Sequence, residues 1–377
     1  MDYFVKSENM TVGYDNKPLI EDINIGVSRG EILTLVGPNG SGKSTILKSI
    51  IKQLRLIAGT VVLDGEDMKE LSDNVIAKRM SIVMTERLHG ELMTCREVVE
   101  TGRYPYTGRL GILSSEDHAK VDDAIALVHA EDFAQNPYSQ ISDGQRQRLL
   151  LARAICQEPE IIVLDEPTSF LDIRHKLELL NILKRLVREK NMAVIMSLHE
   201  LDLAEKISDR VVCVADGRVD RCGVPSEIFR DDYIKRLYGI DEGTYNAMFG
   251  CVEMEKVQGE PRIFVIGGGG SGIAVYRQLQ RCGVAFAAGV IQENDLDYPV
   301  AAALAGKLTA EEAFSAVSDE KLREALEIMK KCDAVICAVE KFGSMNAGNA
   351  VLRDTAQEMG ILCTLADIKR REYAICL

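Results

Sequence analysis

The chain has 377 residues, of which 46% are hydrophobic and 27% are charged, so its composition is that of a folded protein and excludes disordered and collagen-like classes. Its net charge is -13 and no segment concentrates Lys and Arg, so nucleic acid is not expected as a partner. No apolar run approaches the roughly 18 residues that cross a bilayer, and the N-terminus lacks the apolar segment of a signal peptide. The ten cysteines lack zinc-site spacing and are expected to be reduced, which favours a cytoplasmic location.

Short β-branched runs alternate with longer helical patterns from the N-terminus onward, and this alternation predicts an α/β fold. Strands are predicted at residues 31–36, 60–63, 80–84, 160–164, 192–197 and 210–215. Helices are predicted at residues 44–53, 121–128, 144–157, 174–190 and 200–207. A charged segment without periodicity at residues 254–261 predicts a linker between a first domain, residues 1–253, and a second domain, residues 262–377.

A glycine-rich segment, GPNGSGKS at residues 37–44, fits the pattern GxxxxGK[ST] and lies between a predicted strand and a predicted helix. Its glycines allow backbone N–H groups to turn inward, and the helix start adds partial positive charge, so the segment is suited to bind phosphates. Lys43 is placed to reach the terminal phosphates, and Ser44 to ligate Mg²⁺. The sequence therefore predicts a site for a nucleoside triphosphate. The residues assigned to this site are Gly37, Pro38, Asn39, Gly40, Ser41, Gly42, Lys43, Ser44 and Thr45.

Two acidic residues, Asp165 and Glu166, follow the apolar run at residues 161–164. A buried parallel strand would deliver both carboxylates to its C-terminal end, where open α/β sheets bind their ligands. Asp165 is suited to hold Mg²⁺ through water, and Glu166 to orient or deprotonate an attacking water. Together with the phosphate-binding segment, this pair predicts hydrolysis of the bound nucleotide.

A third segment, ISDGQRQR at residues 141–148, begins a predicted helix shortly before the acidic strand, and SFLD at residues 169–172 and His199 follow that strand. In this order the motifs resemble those of ATP-binding-cassette (ABC) ATPases, whose signature reads LSGGQ. The resemblance covers roughly residues 1–250. It implies a P-loop ABC ATPase domain with a helical signature subdomain, which hydrolyses ATP with Lys43, Glu166 and His199 as catalytic residues.

The same resemblance implies roles for residues outside the phosphate-binding segment. Tyr14 would stack on the adenine ring, and His199 would contact the γ-phosphate and link it to Glu166. Cassettes of this family sandwich two nucleotides head to tail, so the signature would approach the γ-phosphate of ATP bound to a second copy. The signature residues with this role are Ser142, Gly144 and Gln145. A homodimer of cassettes that binds ATP and Mg²⁺ is therefore expected.

Two positions depart from the family pattern. Asp143 stands where the signature usually has glycine, so its side chain must point away from the phosphate to avoid repulsion. After the strand at residues 80–84 the family commonly has a glutamine that senses magnesium and the membrane partner, whereas this chain has Thr85 and Glu86. Either Glu86 replaces that ligand and joins Ser44 and Asp165 at the metal, or the loop is one residue out of register.

Residues 93–108 resemble the MTxxExVxxGRYPxxG segment of cassettes that serve importers of iron-siderophore, haem and cobalamin. Spacing alone indicates only a helix followed by a proline-broken aromatic loop. The resemblance implies a permease and, indirectly, an extracytoplasmic substrate-binding protein as partners, with the cassette at the cytoplasmic face of the membrane.

Two other interpretations of the cassette stay open. One is a soluble, non-transport ABC ATPase acting on DNA or the ribosome. Lys43 and Ser142 are too close in sequence for the long coiled coil of repair and chromosome ATPases, and the chain has one cassette where translation factors have two. The other is an importer ATPase for a different small substrate with a ligand-sensing C-terminal domain.

The C-terminal segment predicts a small Rossmann-like domain. A strand at residues 262–266, the glycine loop GGGGSG at residues 267–272 and a helix at residues 273–281 contain the pattern GxGxxG. Further strands are predicted at residues 285–291, 334–339 and 361–365. Glu293 lies near the distance at which dinucleotide-binding domains place a ribose-binding acid, but it is not clearly at a strand tip. Three interpretations stay open: a small ligand such as a nucleotide or an anion, a regulatory or interaction role, and a dehydrogenase, for which no His, Lys or Tyr constellation is found.

Overall fold

The protein was analysed as a computed structural model, which describes residues 3–84, 92–108 and 111–366. Its contacts divide the chain into two compact units, residues 1–229 and 230–377. Each unit is an α/β assembly, so the predicted fold class is confirmed. Within the described residues, no helix is both long and apolar enough to cross a membrane.

The first unit contains eleven strands and eight α-helices among its described residues. The strands are β1 (Val5–Tyr14), β2 (Lys17–Ile23), β3 (Gly26–Val27), β4 (Ile32–Val36), β5 (Ala58–Leu63), β6 (Glu66–Asp67), β7 (Met80–Val83), β8 (Ile161–Leu164), β9 (Ala193–Ser197), β10 (Arg210–Ala215) and β11 (Arg218–Gly223). The helices are α1 (Lys43–Ile50), α2 (Asp73–Arg79), α3 (Cys95–Glu100), α4 (Ser115–Leu127), α5 (Asp143–Cys156), α6 (Ile173–Lys190), α7 (Leu201–Ile207) and α8 (Pro225–Ile228).

A six-stranded sheet in the order β11-β10-β4-β9-β8-β7 forms the centre of the first unit. All of its neighbouring strands pair in parallel except β10 and β11. Every residue of β4, β8 and β9 is buried, which explains why these strands read as continuous apolar runs. Since the strands are parallel, the loops that follow β4, β8 and β9 meet at one edge of the sheet.

A second, antiparallel sheet of the first unit has the order β2-β1-β5-β6, with β3 also paired to β1. Met10, Val12 and Ile20 of this sheet are 0% exposed and share a core with Ile46 of α1. The sequence predicted only β5 of this sheet. Strand β1 is not predicted from the sequence, because two register shifts and a left-handed Asn9 break the alternation of apolar and polar residues on which strand prediction depends.

Three helices of the first unit begin with reciprocal side-chain caps. Thr94 and Glu97 cap α3, Ser114 and Asp117 cap α4, and the start of α5 has the same arrangement. The α4 cap is also an ion pair, because Arg103 Nε donates to Asp117 Oδ1 at 2.8 Å. Bonds from Ser114, with this ion pair, lower the pKa of the Asp117 carboxyl to about 2. Polar caps therefore fix where the helices of this part begin.

The second unit contains a five-stranded parallel sheet in the order β16-β15-β14-β17-β18. The strands of the second unit are β12 (Thr244–Asn246), β13 (Cys251–Glu253), β14 (Ile263–Ile266), β15 (Phe286–Gln292), β16 (Lys307–Glu311), β17 (Ala334–Cys337) and β18 (Leu362–Cys363). Strands β12 and β13 pair with each other, outside the five-stranded sheet. Its helices are α9 (Asp231–Tyr238), α10 (Ile273–Arg281), α11 (Tyr298–Leu304), α12 (Asp319–Met329) and α13 (Ala347–Glu358). Strand order reverses at β14, as in a Rossmann fold, and the glycine loop at residues 267–272 follows that strand.

The division between the units differs from the predicted linker at residues 254–261. Strands β12 and β13 form an antiparallel hairpin that contacts α11, and Tyr245 of the hairpin is 1% exposed. Arg277 of α10 donates to the buried carboxylate of Glu253. The hairpin therefore belongs to the second unit. The sequence did not show this because strands of three residues carry too little periodicity to be recognised.

Candidate functional site

The phosphate-binding segment forms a tight turn between β4 and α1. Gly37, Gly40 and Gly42 have positive φ angles of 149°, 76° and 100°, which side-chain-bearing residues rarely adopt. A Cβ atom on Gly37 would lie 2.0 Å from the carbonyl oxygen of Val214, so the loop also needs glycine for close packing. The exposed Asn39 stands at the tip of this turn.

Lys43 extends from the start of α1 back along the loop and is 5% exposed. Its Nζ donates to the carbonyl oxygens of Gly37 at 2.8 Å and Pro38 at 2.9 Å. Burial lowers the pKa of Lys43, while the negative charges of Glu166 and Asp165 raise it. The loop therefore holds a buried cation beside two carboxylates, where it can bind the terminal phosphates of a nucleotide.

Ser44, Asp165 and Ser197 form a chain of oxygen ligands at the ends of α1, β8 and β9. Asp165 is 3% exposed, and its Oδ1 accepts from Ser44 Oγ at 3.0 Å and from Ser197 Oγ at 2.7 Å. No group of three or more His, Cys, Asp or Glu side chains suited to a metal occurs in the described part of the chain. Mg²⁺ usually keeps several waters and needs only one or two carboxylates, so Ser44 and Asp165 fit it.

Glu166 and His199 are brought together across the ends of β8 and β9. His199 Nε2 contacts Glu166 Oε1, and Ser169 Oγ donates to Glu166 Oε2 at 3.2 Å. The backbone N–H of Glu166 donates to Ser197 Oγ at 2.9 Å. Glu166 has a φ of 49°, a left-handed conformation that is strained for this residue type. Both side chains are about one-third exposed and can reach a bound molecule.

Ser197 is a site residue that sequence reasoning missed. Its hydroxyl joins the metal side of the site to the Glu166 backbone, because it donates to Asp165 and accepts from Glu166. The signal available in the sequence was weak: a single polar residue at the end of the apolar strand β9, two residues before His199. A serine in that position is also common at the end of an ordinary strand.

Tyr14 and the remaining loop residues lie around the phosphate-binding turn. Tyr14 ends β1, is 52% exposed, and has its hydroxyl 3.3 Å from Thr45 Oγ1. Its ring is therefore available to a ligand beside the loop. Ser41 donates its backbone N–H to Pro38, and its buried hydroxyl has no partner among the described residues.

The signature residues lie at the start of α5 and not in the phosphate-binding segment. Ser142 caps α5, with its Oγ accepting from Gln145 N at 3.2 Å, and the Gln145 side chain accepts from Ser142 N at 2.9 Å. Asp143 is paired with Arg146 at 3.0 Å along the helix surface. Ser142 and Gln145 are thus each bonded through the side chain to the backbone of the other at the start of α5. Glu86 and Thr85 lie outside the described residues, so their assignment stays a prediction.

Comparisons with known proteins identify the family of the first unit. A family model described as ABC transporter matches residues 20–169, and a model of the MJ0874 family matches residues 286–375. The ATP-binding cassette MJ0796, in a dimeric post-hydrolysis structure bound to ADP and Pi, has 28% sequence identity and a TM-score of 0.51, over 59% of this chain and 98% of that chain.

Three curated relatives are similar over larger parts of the chain. An uncharacterized ABC transporter ATP-binding protein of Methanocaldococcus jannaschii, MJ0873, is 40% identical over 73% of this chain and 95% of its own length. The cobalamin import ATP-binding protein BtuD of Halobacterium salinarum is 33% identical over 80% of this chain and 77% of its own length. The iron(3+)-hydroxamate import ATP-binding protein FhuC of Bacillus subtilis is 36% identical over 63% of this chain and 88% of its own length. The chain therefore belongs to the ATP-binding subunits of ABC transporters and is an ATPase of that family.

Proposed function

We propose that this chain is the ATP-hydrolysing subunit of an importer for a metal chelate of the iron-siderophore, haem or cobalamin type, with cobalamin as the first candidate. The observation that carries the choice is the similarity to the cobalamin import protein over 80% of the chain. A match of that length exceeds the 229 residues of the first unit, so it extends into the second unit. The similarity to the iron(3+)-hydroxamate import protein covers 63% of the chain, which is close to the length of the first unit alone.

In this proposal, the residues at the edge of the central sheet perform hydrolysis. Glu166 accepts a proton from the attacking water, and its contact with His199 holds the carboxylate in position. Lys43 neutralises charge on the terminal phosphate oxygens, and Tyr14 packs against the adenine ring. Ser44 and Asp165 would hold Mg²⁺, which supplies further positive charge beside the phosphates.

The cassette is proposed to act as a homodimer. Ser142 and Gln145 cap α5 reciprocally, and the family resemblance places this signature at the nucleotide of a second copy. Two large apolar side chains near Glu166 support this arrangement, because Phe170 is 84% exposed and Ile173 is 79% exposed. A second copy seated on this surface would remove both side chains from water.

The partner in the membrane is proposed to be a permease that docks in a groove of about 440 Å³ beside β7. Its lining includes Ile82, Tyr104 and Pro105, and Tyr104 is 60% exposed. Ile82 of the lining precedes Thr85 and Glu86 closely in sequence, and the family resemblance places the contact with the membrane partner at that segment. The subunit would then lie at the cytoplasmic face of the membrane.

The segment at residues 93–108 favours the importer branch through its sequence resemblance alone, and its residues also have structural roles. Thr94 and Glu97 cap α3, and a Cβ atom on Gly102 would lie 2.2 Å from the carbonyl oxygen of Arg153. Arg103 is 4% exposed and donates to Asp117 and to the carbonyl oxygen of Cys156. The residues that carry the resemblance therefore shape the helical part of the first unit.

The experiment is chelate uptake by proteoliposomes that contain the chain together with a candidate permease. Labelled cobalamin, a ferric siderophore and haem are supplied with the binding protein on the side opposite to ATP. We expect ATP-dependent accumulation of cobalamin that is lost in the Glu166→Gln variant. Accumulation of a siderophore or haem alone would contradict the cobalamin assignment, and ATP-dependent release of all three would contradict import.

A further inference from the structure

The glycine loop of the second unit lies where a Rossmann fold binds the pyrophosphate of a dinucleotide. Residues 267–272 connect β14 to α10, at the point where strand order reverses. In dinucleotide-binding domains, the backbone N–H groups of this loop and of the helix start point at the phosphates. What these N–H groups contact in this chain therefore decides whether the loop can serve that purpose.

The carboxylate of Asp297, a residue outside this loop, is hydrogen-bonded to the backbone of the loop. Its side chain is 0% exposed, and its carboxylate accepts from the backbone N–H groups of Gly268, Gly272 and Ile273, at 3.0 Å from the nitrogens of Gly272 and Ile273. Burial raises the pKa of Asp297, and the N–H groups of Gly272 and Gly268 lower it. The loop donors thus offset part of the free energy that burying this carboxylate costs.

Asp295 takes a further donor of the loop. Its carboxylate accepts from the backbone N–H of Gly269 at 2.8 Å and from that of Asp297 at 2.8 Å. Two carboxylates from the connection between β15 and α11 are therefore bonded to the N–H groups on which a pyrophosphate would depend. A dinucleotide would have to break these bonds and bring its own negative charges beside the carboxylates.

The glycines of the loop have a packing role that does not involve a ligand. Tyr276 of α10 is fully buried and stacks on Phe286 of β15, with ring centroids 5.4 Å apart. A Cβ atom on Gly267 would lie 2.0 Å from the Tyr276 hydroxyl oxygen, and one on Gly272 would lie 2.3 Å from it. The first and last glycines of the loop are thus required by the tyrosine beneath them.

We propose that Asp295 and Asp297 are a built-in substitute for phosphate, which closes the glycine loop and leaves the second unit without a dinucleotide site there. The chain then binds one nucleotide per copy, at the phosphate-binding segment of the first unit. The second unit acts through its other surfaces, in agreement with a regulatory or interaction role.

Nucleotide titration tests the closed loop directly. The full-length Lys43→Ala variant, which weakens the site of the first unit, is titrated calorimetrically with NAD and with ADP. We expect no saturable binding of NAD, and any residual ADP binding should be unaffected by adding Gly268→Val, which alters only the second loop. Saturable binding of either nucleotide that disappears with Gly268→Val would overturn the proposal.

Backbone hydrogen exchange tests the carboxylates. Asp297→Asn keeps the shape of the side chain but places N–H groups against the loop donors, so we expect exchange at Gly268, Gly272 and Ile273 to become about tenfold faster or more. Asp295→Asn should accelerate exchange mainly at Gly269. Glu340→Gln, at an exposed residue of the same unit, is the matched control and should change none of these rates. Unchanged exchange in both aspartate variants would refute the role of the two carboxylates.

Discussion

The chain contains two glycine loops that follow a strand and begin a helix, and they differ in the charge that neighbouring elements supply. In the first loop, a cation fills the turn, because Lys43 of α1 donates to the carbonyl oxygens of Gly37 and Pro38. Among the described residues, no side chain accepts from the N–H groups of Gly40, Gly42 or Lys43. In the second loop, the carboxylates of Asp295 and Asp297 accept from the backbone N–H groups of Gly268, Gly269 and Gly272.

This difference shows what a glycine pattern specifies. Glycines fix a turn that exposes backbone donors, and both loops satisfy that requirement. Residues other than the glycines determine what the backbone donors bind. A lysine at the start of the helix attracts phosphate, whereas an aspartate from the connection between β15 and α11 excludes it. Similar patterns can therefore form an open site in one unit and a closed one in the other.

The largest effect that we expect is on ATP turnover at the first loop, which we regard as the open one. Glu166→Gln keeps the shape of the side chain but removes the carboxylate that we propose activates water, so ATP hydrolysis should fall by about 10² to 10⁴. Binding should persist at one ATP per chain, and an ATP-bound dimer should accumulate in gel filtration. Near wild-type turnover together with an ATP-bound monomer would show that Glu166 is not the residue that activates water.

The next effect is on binding at the same loop. Lys43→Ala removes a buried cation that faces the phosphates in the ground state as well as in the transition state. Because a hydrogen bond to a charged group is worth about 1.5–3 kcal/mol, the Kd for ATP should rise by about 10- to 100-fold in calorimetry. ATP binding that persisted at wild-type affinity would have to come from a second site. The conclusion that only the first loop is open would then be wrong.

A smaller effect concerns the tyrosine beneath the closed loop. The Tyr276 hydroxyl is fully buried and has no hydrogen-bond partner among the described residues. Burying such a group costs free energy, so Tyr276→Phe should stabilise the second unit by about 1 kcal/mol in chemical denaturation. Tyr298→Phe, at a half-buried tyrosine of the same unit, is the control and should change little. Destabilisation by Tyr276→Phe would indicate that the hydroxyl has a partner, such as a bound molecule at the loop.

The smallest expected effect is at the metal side of the open loop. If Glu86 supplies the contact that glutamine usually makes, Glu86→Gln removes a negative charge near the metal. The magnesium concentration for half-maximal hydrolysis should then rise by about fivefold, because one charge at about 4 Å in water contributes about 1 kcal/mol. Thr85→Gln should have little effect. An unchanged curve for Glu86→Gln with a large change for Thr85→Gln would place Thr85 at the nucleotide.

The parts of the fold and site that could be predicted from sequence are those encoded by contiguous residues. Strands β4, β8 and β9 are recognisable because strands buried on both faces are predominantly apolar. The contact of Glu166 with His199 was expected from the family resemblance, and the structure places the two side chains together.

The parts that could not be predicted depend on contacts between distant residues. Ser197 reads as an ordinary strand end until the fold brings it to Asp165 and Glu166. The closure of the second loop requires Asp297 to reach back to Gly272 across a strand and a helix, and sequence spacing contains no such information. For this reason the glycine pattern of the second loop left a bound ligand open as an interpretation.

The hairpin of β12 and β13 determines where this chain can be truncated. A fragment ending at residue 253 would keep β12 and β13 but lose α11, against which they pack, and would expose the buried side chain of Tyr245 to solvent. Such a fragment would carry an unpaired apolar surface that favours aggregation. A cassette isolated for biochemistry should instead end at Phe229, the last residue of the first unit.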